Sequence, residues 1–282
     1  MRIALGVSYN GQAYNGWQSQ PSGNTVQDQL EAALGRFATH EVSTICAGRT
    51  DAGVHGTMQV VHFDTPLERV PFSWVRGTNT FLPPDIAVQW AQPVPDAFHS
   101  RACAIARRYA YVLLQSPVRP SVEAGRVGWV FHELDGAAMQ QAADVLLGEH
   151  DFTSLRASAC QAKSPIKTVR RIHITRRGTA SIEHDSAATV ASAGPHHFAP
   201  CYWRFEFEAN AFLHHMIRNI MGCLIAVGQG LRSPEWMRDV LAARSRDAAA
   251  PTFSPDGLYF LGPVYEKEWG LPERTAAYDW LP

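Results

Sequence analysis

Apolar positions alternate with small or polar ones from the start of the chain. Ile3, Leu5, Val7 and Tyr9 share one side of that alternation, which predicts a strand over 2–9. The period then changes. Val26, Leu30, Ala33, Leu34 and Phe37 recur at helical spacing, so a helix is predicted that closes between Gly35 and His40. Asn24, with Gln27 three residues later, supplies its capping signal. Strands are predicted again over 42–46, from Met58 through Phe63, and over 85–90, with a short helix opening at Pro71. These elements suggest a β-α-β-β-α-β-like first half: a mostly antiparallel sheet with helices on one face.

In the second half a strand runs from Ala104 to about Leu114. Its alternation sets Arg107, Tyr109 and Tyr111 on one face and Arg108, Ala110 and Val112 on the other. Asp135 can cap a helix through Leu147 whose buried face carries Met139, Ala142, Ala143 and Leu146. Tyr202, Arg204, Glu206 and Glu208 alternate with Trp203, Phe205 and Phe207 in a further strand. A long helix begins within 210–220, a second covers 234–243, and a last strand covers 256–261. Residues 178–200 are rich in Ala, Ser and His without apolar periodicity, and read as an inserted surface loop. The chain is therefore divided into an N-terminal α+β subdomain, 1–104, and a C-terminal α+β subdomain, 105–282, that carries this insertion.

Composition narrows the class. Apolar residues make up 46% and charged residues 18% of the 282, as in a globular protein with a full core. No apolar run reaches membrane-spanning length, and the N-terminus lacks signal-peptide architecture. The five cysteines are scattered, odd in number and without a C-x-x-C pair. They read as reduced thiols of a cytoplasmic protein. His184, Asp185, His196, His197 and Cys201 match no ligand spacing, so no metal site is expected.

The formal net charge of −1 speaks against a nucleic-acid partner, but the distribution speaks for one. Residues 156–177 contain seven Lys or Arg and no acid, and residues 98–122 contain four Arg and no acid. Two such runs allow one basic face on a neutral protein. Arg107 with two tyrosines on one strand face suits phosphate contact and base stacking, and a tyrosine-lined core face is the alternative. The segment from Tyr9 to Gln20 adds two tyrosines and a tryptophan in a Gly- and Asn-rich loop. It is no phosphate loop, since neither glycine fingerprint is present.

The densest candidate chemistry lies in Gly48-Arg49-Thr50-Asp51-Ala52-Gly53-Val54-His55-Gly56, between two predicted strands. Glycine permits backbone shapes closed to other residues and lets a ligand approach. A carboxylate, Asp51, stands two positions from a guanidinium, Arg49, and a neighbouring cation favours the ionised carboxylate. Held in that state, Asp51 can serve as nucleophile or general base; alternatively it only shapes an Asx-turn to which Arg49 pairs. His55, in a tight glycine-rich turn, is read as structural.

This nine-residue run resembles the active-site motif of the tRNA pseudouridine synthase A family. So do the Tyr9–Gln20 loop, Phe81-Leu82-Pro83-Pro84-Asp85-Ile86, Ala106-Arg107-Arg108-Tyr109-Ala110-Tyr111, Asn210-Ala211-Phe212-Leu213-His214-His215-Met216-Ile217-Arg218-Asn219 and Gly257-Leu258 with its neighbours. The resemblance lapses over 178–200 and the last dozen residues. It implies an α+β pseudouridine synthase fold of two similar subdomains, each a mostly antiparallel sheet with helices on one face, around a central RNA-binding cleft. It implies Asp51 as nucleophile, with Arg218 close to it, and Arg49 and Arg218 holding and ionising it or contacting phosphate. Tyr109 would lie beside the target base and Leu258 would line the pocket. Arg107, Arg108, Lys167 and Arg170 would bind the RNA, the last two from a basic RNA-embracing loop within 156–177. The implied reaction converts uridine to pseudouridine at positions 38 to 40 of the tRNA anticodon stem-loop. It is an isomerisation that needs no cofactor and no metal. The implied partners are tRNA and a second copy of the chain, with no membrane. A non-catalytic RNA-binding protein and, more remotely, a histidine-rich metal hydrolase using His214 and His215 are the alternatives.

Overall fold

A computed structural model describes residues 1–178 and 199–272. The predicted insertion therefore lies almost wholly outside the described residues, and His184, Asp185, His196 and His197 with it. The chain forms two units. Of the described residues, the first comprises Met1–Tyr109 and 259–272, and the second spans Ala110–Leu258. The chain passes from the first unit to the second after Tyr109. The late segment rejoins the first unit because its strand pairs there.

In the first unit, β1 (Arg2–Tyr9) lies between β3 (His55–Asp64) and β4 (Ile86–Val94), antiparallel to both. Strand β2 (Ile45–Cys46) pairs antiparallel with β3. On the far side of β3, Tyr259 and Phe260 of β10 (Leu258–Val264) pair in parallel with His55 and Gly56. The odd-numbered residues of β1 pack against α1 (Val26–Ala38) and α2 (Pro71–Asn79). Ile3, Leu5 and Val7 meet Leu30, Leu34 and Trp74 in one cluster. Ala4, Val60, Val94 and Phe98 close the opposite face with Trp269 and Leu271. Both faces are covered, so β3 is buried almost throughout, its polar residues His55, Thr57, Gln59 and His62 included.

Two predicted details shift for local reasons. Thr25, not Asn24, caps α1. Thr25 Oγ1 accepts from Asp28 N–H at 3.2 Å, while the Asn24 side chain donates to the Ala13 carbonyl. The strand predicted over 42–46 shortens to two residues, because the Thr44 N–H and hydroxyl donate to Glu31 at 2.6 and 2.9 Å instead of joining a ladder.

In the second unit, β8 (Ile166–Gly178) lies antiparallel between β7 (Gly148–Asp151) and β9 (Cys201–Ala209). Strand β9 neighbours β5 (Ala106–Gln115), and β6 (Gly128–Val130) pairs in parallel with β5. Helices α3 (Gly136–Asp144), capped by Asp135 as predicted, and α4 (Met216–Gly228) pack closely. At Gly228 a Cβ would stand 2.8 Å from the Met139 sulfur. Helix α5 (Trp236–Ala243) completes the unit. Helix α4 starts at Met216, because Asn210 still exchanges hydrogen bonds with Thr168 of β8 and His215 turns left-handed at φ 61°. Both units combine mainly antiparallel strands with helices, the expected α+β class. All five cysteines are described and none is in a disulfide. Among the described residues, no helix is long and apolar enough to cross a membrane.

Candidate active site

The nine-residue run occupies the turn that leaves β2 and enters β3. The Ala47 N–H donates to Val60 O, the Val54 N–H donates to Asp51 O at 3.1 Å, and Gly53 adopts a φ of 79° that closes the turn. This catalytic-loop candidate is clasped by the segment that follows β1. The Trp17 N–H donates to Thr50 O at 3.0 Å, the Gly53 N–H to Tyr14 O at 3.4 Å, and the Gly11 N–H to His55 Nδ1 at 3.1 Å. Two glycines allow the approach. A Cβ on Gly11 would lie 1.9 Å from Val54 O, and one on Gly16, whose φ is 86°, would lie 2.6 Å from Thr50 O. Tyr14 and Trp17 are buried, and the Tyr14 hydroxyl donates to Asp85 at 2.6 Å. The aromatics of this segment are packing residues, not a surface for bases.

Beneath the loop lies a buried polar layer. The Tyr9 hydroxyl and Thr50 Oγ1 share a hydrogen bond of 2.9 Å. Gln59, fully buried on β3, donates from Nε2 to Gly48 O at 2.5 Å. Burial pushes the Tyr9 phenol well above its usual range, opposed by Thr50 and Gln59. Tyr109 sits behind the loop, its ring 4.9 Å from that of Phe260. Burial raises its phenol strongly, and the charges of Tyr9 and Asp51 add to the rise while Arg107 opposes it. Asp51 is half-buried and close enough for its charge to act on Tyr109. The structure therefore sets a half-buried carboxylate in a glycine-bounded turn near enough to a buried phenol for its charge to act there.

The other expected residues separate into two kinds. In the first unit, Arg49 is exposed on the loop. Arg107 is half-buried. Its guanidinium donates to the carbonyls of Ala47, Arg101 and Ala104 at 3.2, 2.7 and 3.0 Å, which braces the entry to the loop. Desolvation lowers its pKa. Arg108 is exposed and lines a shallow groove with Met58, Leu261, Tyr265 and Lys267. His55 accepts from Gly11 through Nδ1 and stacks on Tyr259 at 4.6 Å, so it ties the two segments together.

In the second unit, the Lys167 ammonium donates to the carbonyls of Ser164 and Ile166 at 2.7 and 2.8 Å. Arg170 reaches Glu208 at 3.9 Å and Arg171 reaches Glu206 at 3.5 Å. The basic run expected as a loop is mostly strand β8, and its acid partners arrive from β9. Arg218, half-buried on α4, donates from Nε to Phe253 O at 2.8 Å. Leu258 is buried at the start of β10. Tyr111 is fully buried, and its hydroxyl donates to Ser254 O at 2.9 Å. It belongs to the core face, not to a stacking platform.

Tyr9, Thr50 and Gln59 do not stand out in the sequence as site residues. Tyr9 and Thr50 do lie inside the two stretches singled out above, and the signal for Gln59 is an amide between Met58 and Val60, since burying an amide costs free energy unless it is hydrogen-bonded.

A family model described as tRNA pseudouridine synthase matches residues 6–101 and 142–266. Relatives named tRNA pseudouridine synthase A are 81% identical in Acidovorax ebreus strain TPSY and 80% identical in Acidovorax sp. strain JS42. Each alignment covers the whole of both chains. The relative in Paracidovorax citrulli strain AAC00-1 is 79% identical over the same full lengths. The matched segments include the glycine-bounded turn with Asp51 and the helix that carries Arg218, and the chain belongs to the tRNA pseudouridine synthase family.

Proposed function

We propose that this protein isomerises uridine to pseudouridine in tRNA, at positions 38 to 40 of the anticodon stem-loop, with Asp51 as nucleophile. The observation that carries the reading is Asp51 itself. It is a half-buried carboxylate, held in a clasped turn beside a buried tyrosine, in a family named for this chemistry. In the reaction the N1–C1′ glycosidic bond breaks, the uracil turns in place, and a C5–C1′ bond forms as the C5 proton leaves and N1 takes one up. No group is lost and nothing is oxidised. Asp51 supplies the electron pair that assists cleavage, at ribose or at base.

Tyr109 packs on the target base, and its hydroxyl serves the proton step. Arg49 and Arg218 hold Asp51 or contact phosphate, and Leu258 contributes to the base pocket. The target base must leave its stack, at a cost of about a few kcal/mol. Arg107, Arg108, Lys167 and Arg170 offset that cost through the RNA backbone. A second copy of the chain sharing the tRNA and a cytoplasmic location complete the proposal. Family membership favours neither a non-catalytic RNA-binding protein nor a metal hydrolase. Incubation with an unmodified tRNA, followed by mapping of pseudouridine, tests the reading. Product confined to positions 38 to 40 supports it, and product elsewhere or none at all overturns it.

A further inference from the structure

We infer that Gln59 and the Tyr9–Thr50 pair are positioning residues that set where Asp51 stands, a role that rests on the isomerase reading. Two of the three residues before Asp51 are gripped from below by buried groups on different strands. Gln59 on β3 holds the Gly48 carbonyl at 2.5 Å, and Tyr9 at the end of β1 holds Thr50 Oγ1 at 2.9 Å. Gln59 is 0% exposed and Tyr9 4%. Both are buried beneath the loop, where Gln59 acts on the backbone and Tyr9 on the Thr50 hydroxyl. The strands that carry them pair directly, with Gln59 opposite Val7 and Gly56 opposite Tyr9. The two grips therefore stand on one pair of bonded strands, on either side of a register shift between Val7 and Tyr9. A ring is needed at Tyr9 for packing, since it lies 5.6 Å from Trp17 and its edge fills the space above Gly56. The hydroxyl is not needed for that packing. It bonds instead to the residue immediately before Asp51.

A reacting carboxylate displaced by about 1 Å can lose roughly a hundredfold in rate without any loss of binding. The two grips have that kind of leverage on Asp51.

The experiment is single-turnover tritium release from C5-labelled uridine in tRNA, beside filter-binding titrations and thermal melts. The proteins are wild type, Tyr9→Phe, Thr50→Val, Thr50→Ser, Gln59→Met and the double variant Tyr9→Phe/Thr50→Val. Tyr9→Phe and Thr50→Val should each lower the rate about 10- to 100-fold, with tRNA affinity within about twofold of wild type. Thr50→Ser, which keeps the hydroxyl, should return most of the rate. The double variant should be no slower than the slower single variant, because one link is broken once. Gln59→Met should show the same split between rate and affinity. If it does not fold, the hydroxyl variants carry the test alone. Wild-type rates in Tyr9→Phe and Thr50→Val, or losses that add in the double variant, would overturn the inference and leave the isomerase reading standing. A wild type that releases no tritium removes the reading, and the inference with it.

Discussion

Tyr109 lies where burial and a neighbouring carboxylate act on it in the same direction. Both keep the phenol protonated, so in the proposed reaction its hydroxyl can take up the C5 proton only as it passes on its own. Tyr109→Phe retains the ring that packs on Phe260 and removes only the hydroxyl. Turnover should fall by about a hundredfold or more, the usual scale for a lost proton-transfer group, with tRNA affinity unchanged. Wild-type turnover in this variant would leave Tyr109 as a packing surface only. His62 gives an independent prediction about stability. It is buried, and its Nδ1 accepts from the Ser100 N–H at 3.2 Å. Desolvation first, then Arg2 and His99, push its pKa down to about 4. The unfolded chain therefore binds the proton more readily. His62's contribution to stability is complete above about pH 6.5 and is lost as pH falls toward 4. Denaturant midpoints measured across that window should slope upward with pH in wild type and slope less in His62→Gln. Equal slopes would assign the acid sensitivity to other groups.

At the level of elements, the turn is specified as much by the segment that clasps it as by its own glycines. Gly16 shows this best, with a left-handed φ of 86° and the Thr50 carbonyl where a side chain would begin. Gly16→Ala should cost more than about 1 kcal/mol of stability and lower activity as well, because the clash pushes on Thr50 and so on Asp51. A melting temperature and turnover both equal to wild type would contradict that coupling. Elements with a clean period are legible in the sequence. The alternation of β1 and the 3.6-residue spacing of α1 give both within a residue or two. Strand β8 is hidden for a specific reason. A register shift between Val169 and Arg171 puts its buried residues Val169 and Ile172 three apart, which breaks the period of two. The Asp51 turn is legible because its chemistry is local. The grips of Gln59 and Tyr9 are not, because each joins residues 11 or more positions apart.

For the protein as a whole, the question is how a chain of net charge −1 holds a polyanion. The acid-free run in the sequence is not acid-free in the sheet, since β9 brings Glu206 and Glu208 beside Arg171 and Arg170. Those arginine side chains are 44% and 60% exposed at positions 170 and 171, and exposed pairs contribute only about 0–1 kcal/mol. A phosphate can therefore recruit either guanidinium at little cost. Replacing Lys167, Arg170 and Arg171 together by Glu should weaken tRNA binding. It should also reduce the slope of log affinity against log salt by about one for each phosphate the variant no longer neutralises. An unchanged slope would place the RNA on another face.

All of this turns on Asp51 reacting rather than merely shaping its turn. Asp51→Asn separates the two roles, because Asn keeps the size and turn-forming capacity of Asp while losing its charge and nucleophilicity. The measurement is tritium release from C5-labelled uridine in tRNA by wild type and by a correctly folded Asp51→Asn protein. A binding titration of each protein runs alongside it. Release should be abolished in the variant, while tRNA affinity stays equal or improves slightly, since a negative charge has left the RNA's surroundings. Substantial release by Asp51→Asn would contradict a nucleophilic role for this carboxylate.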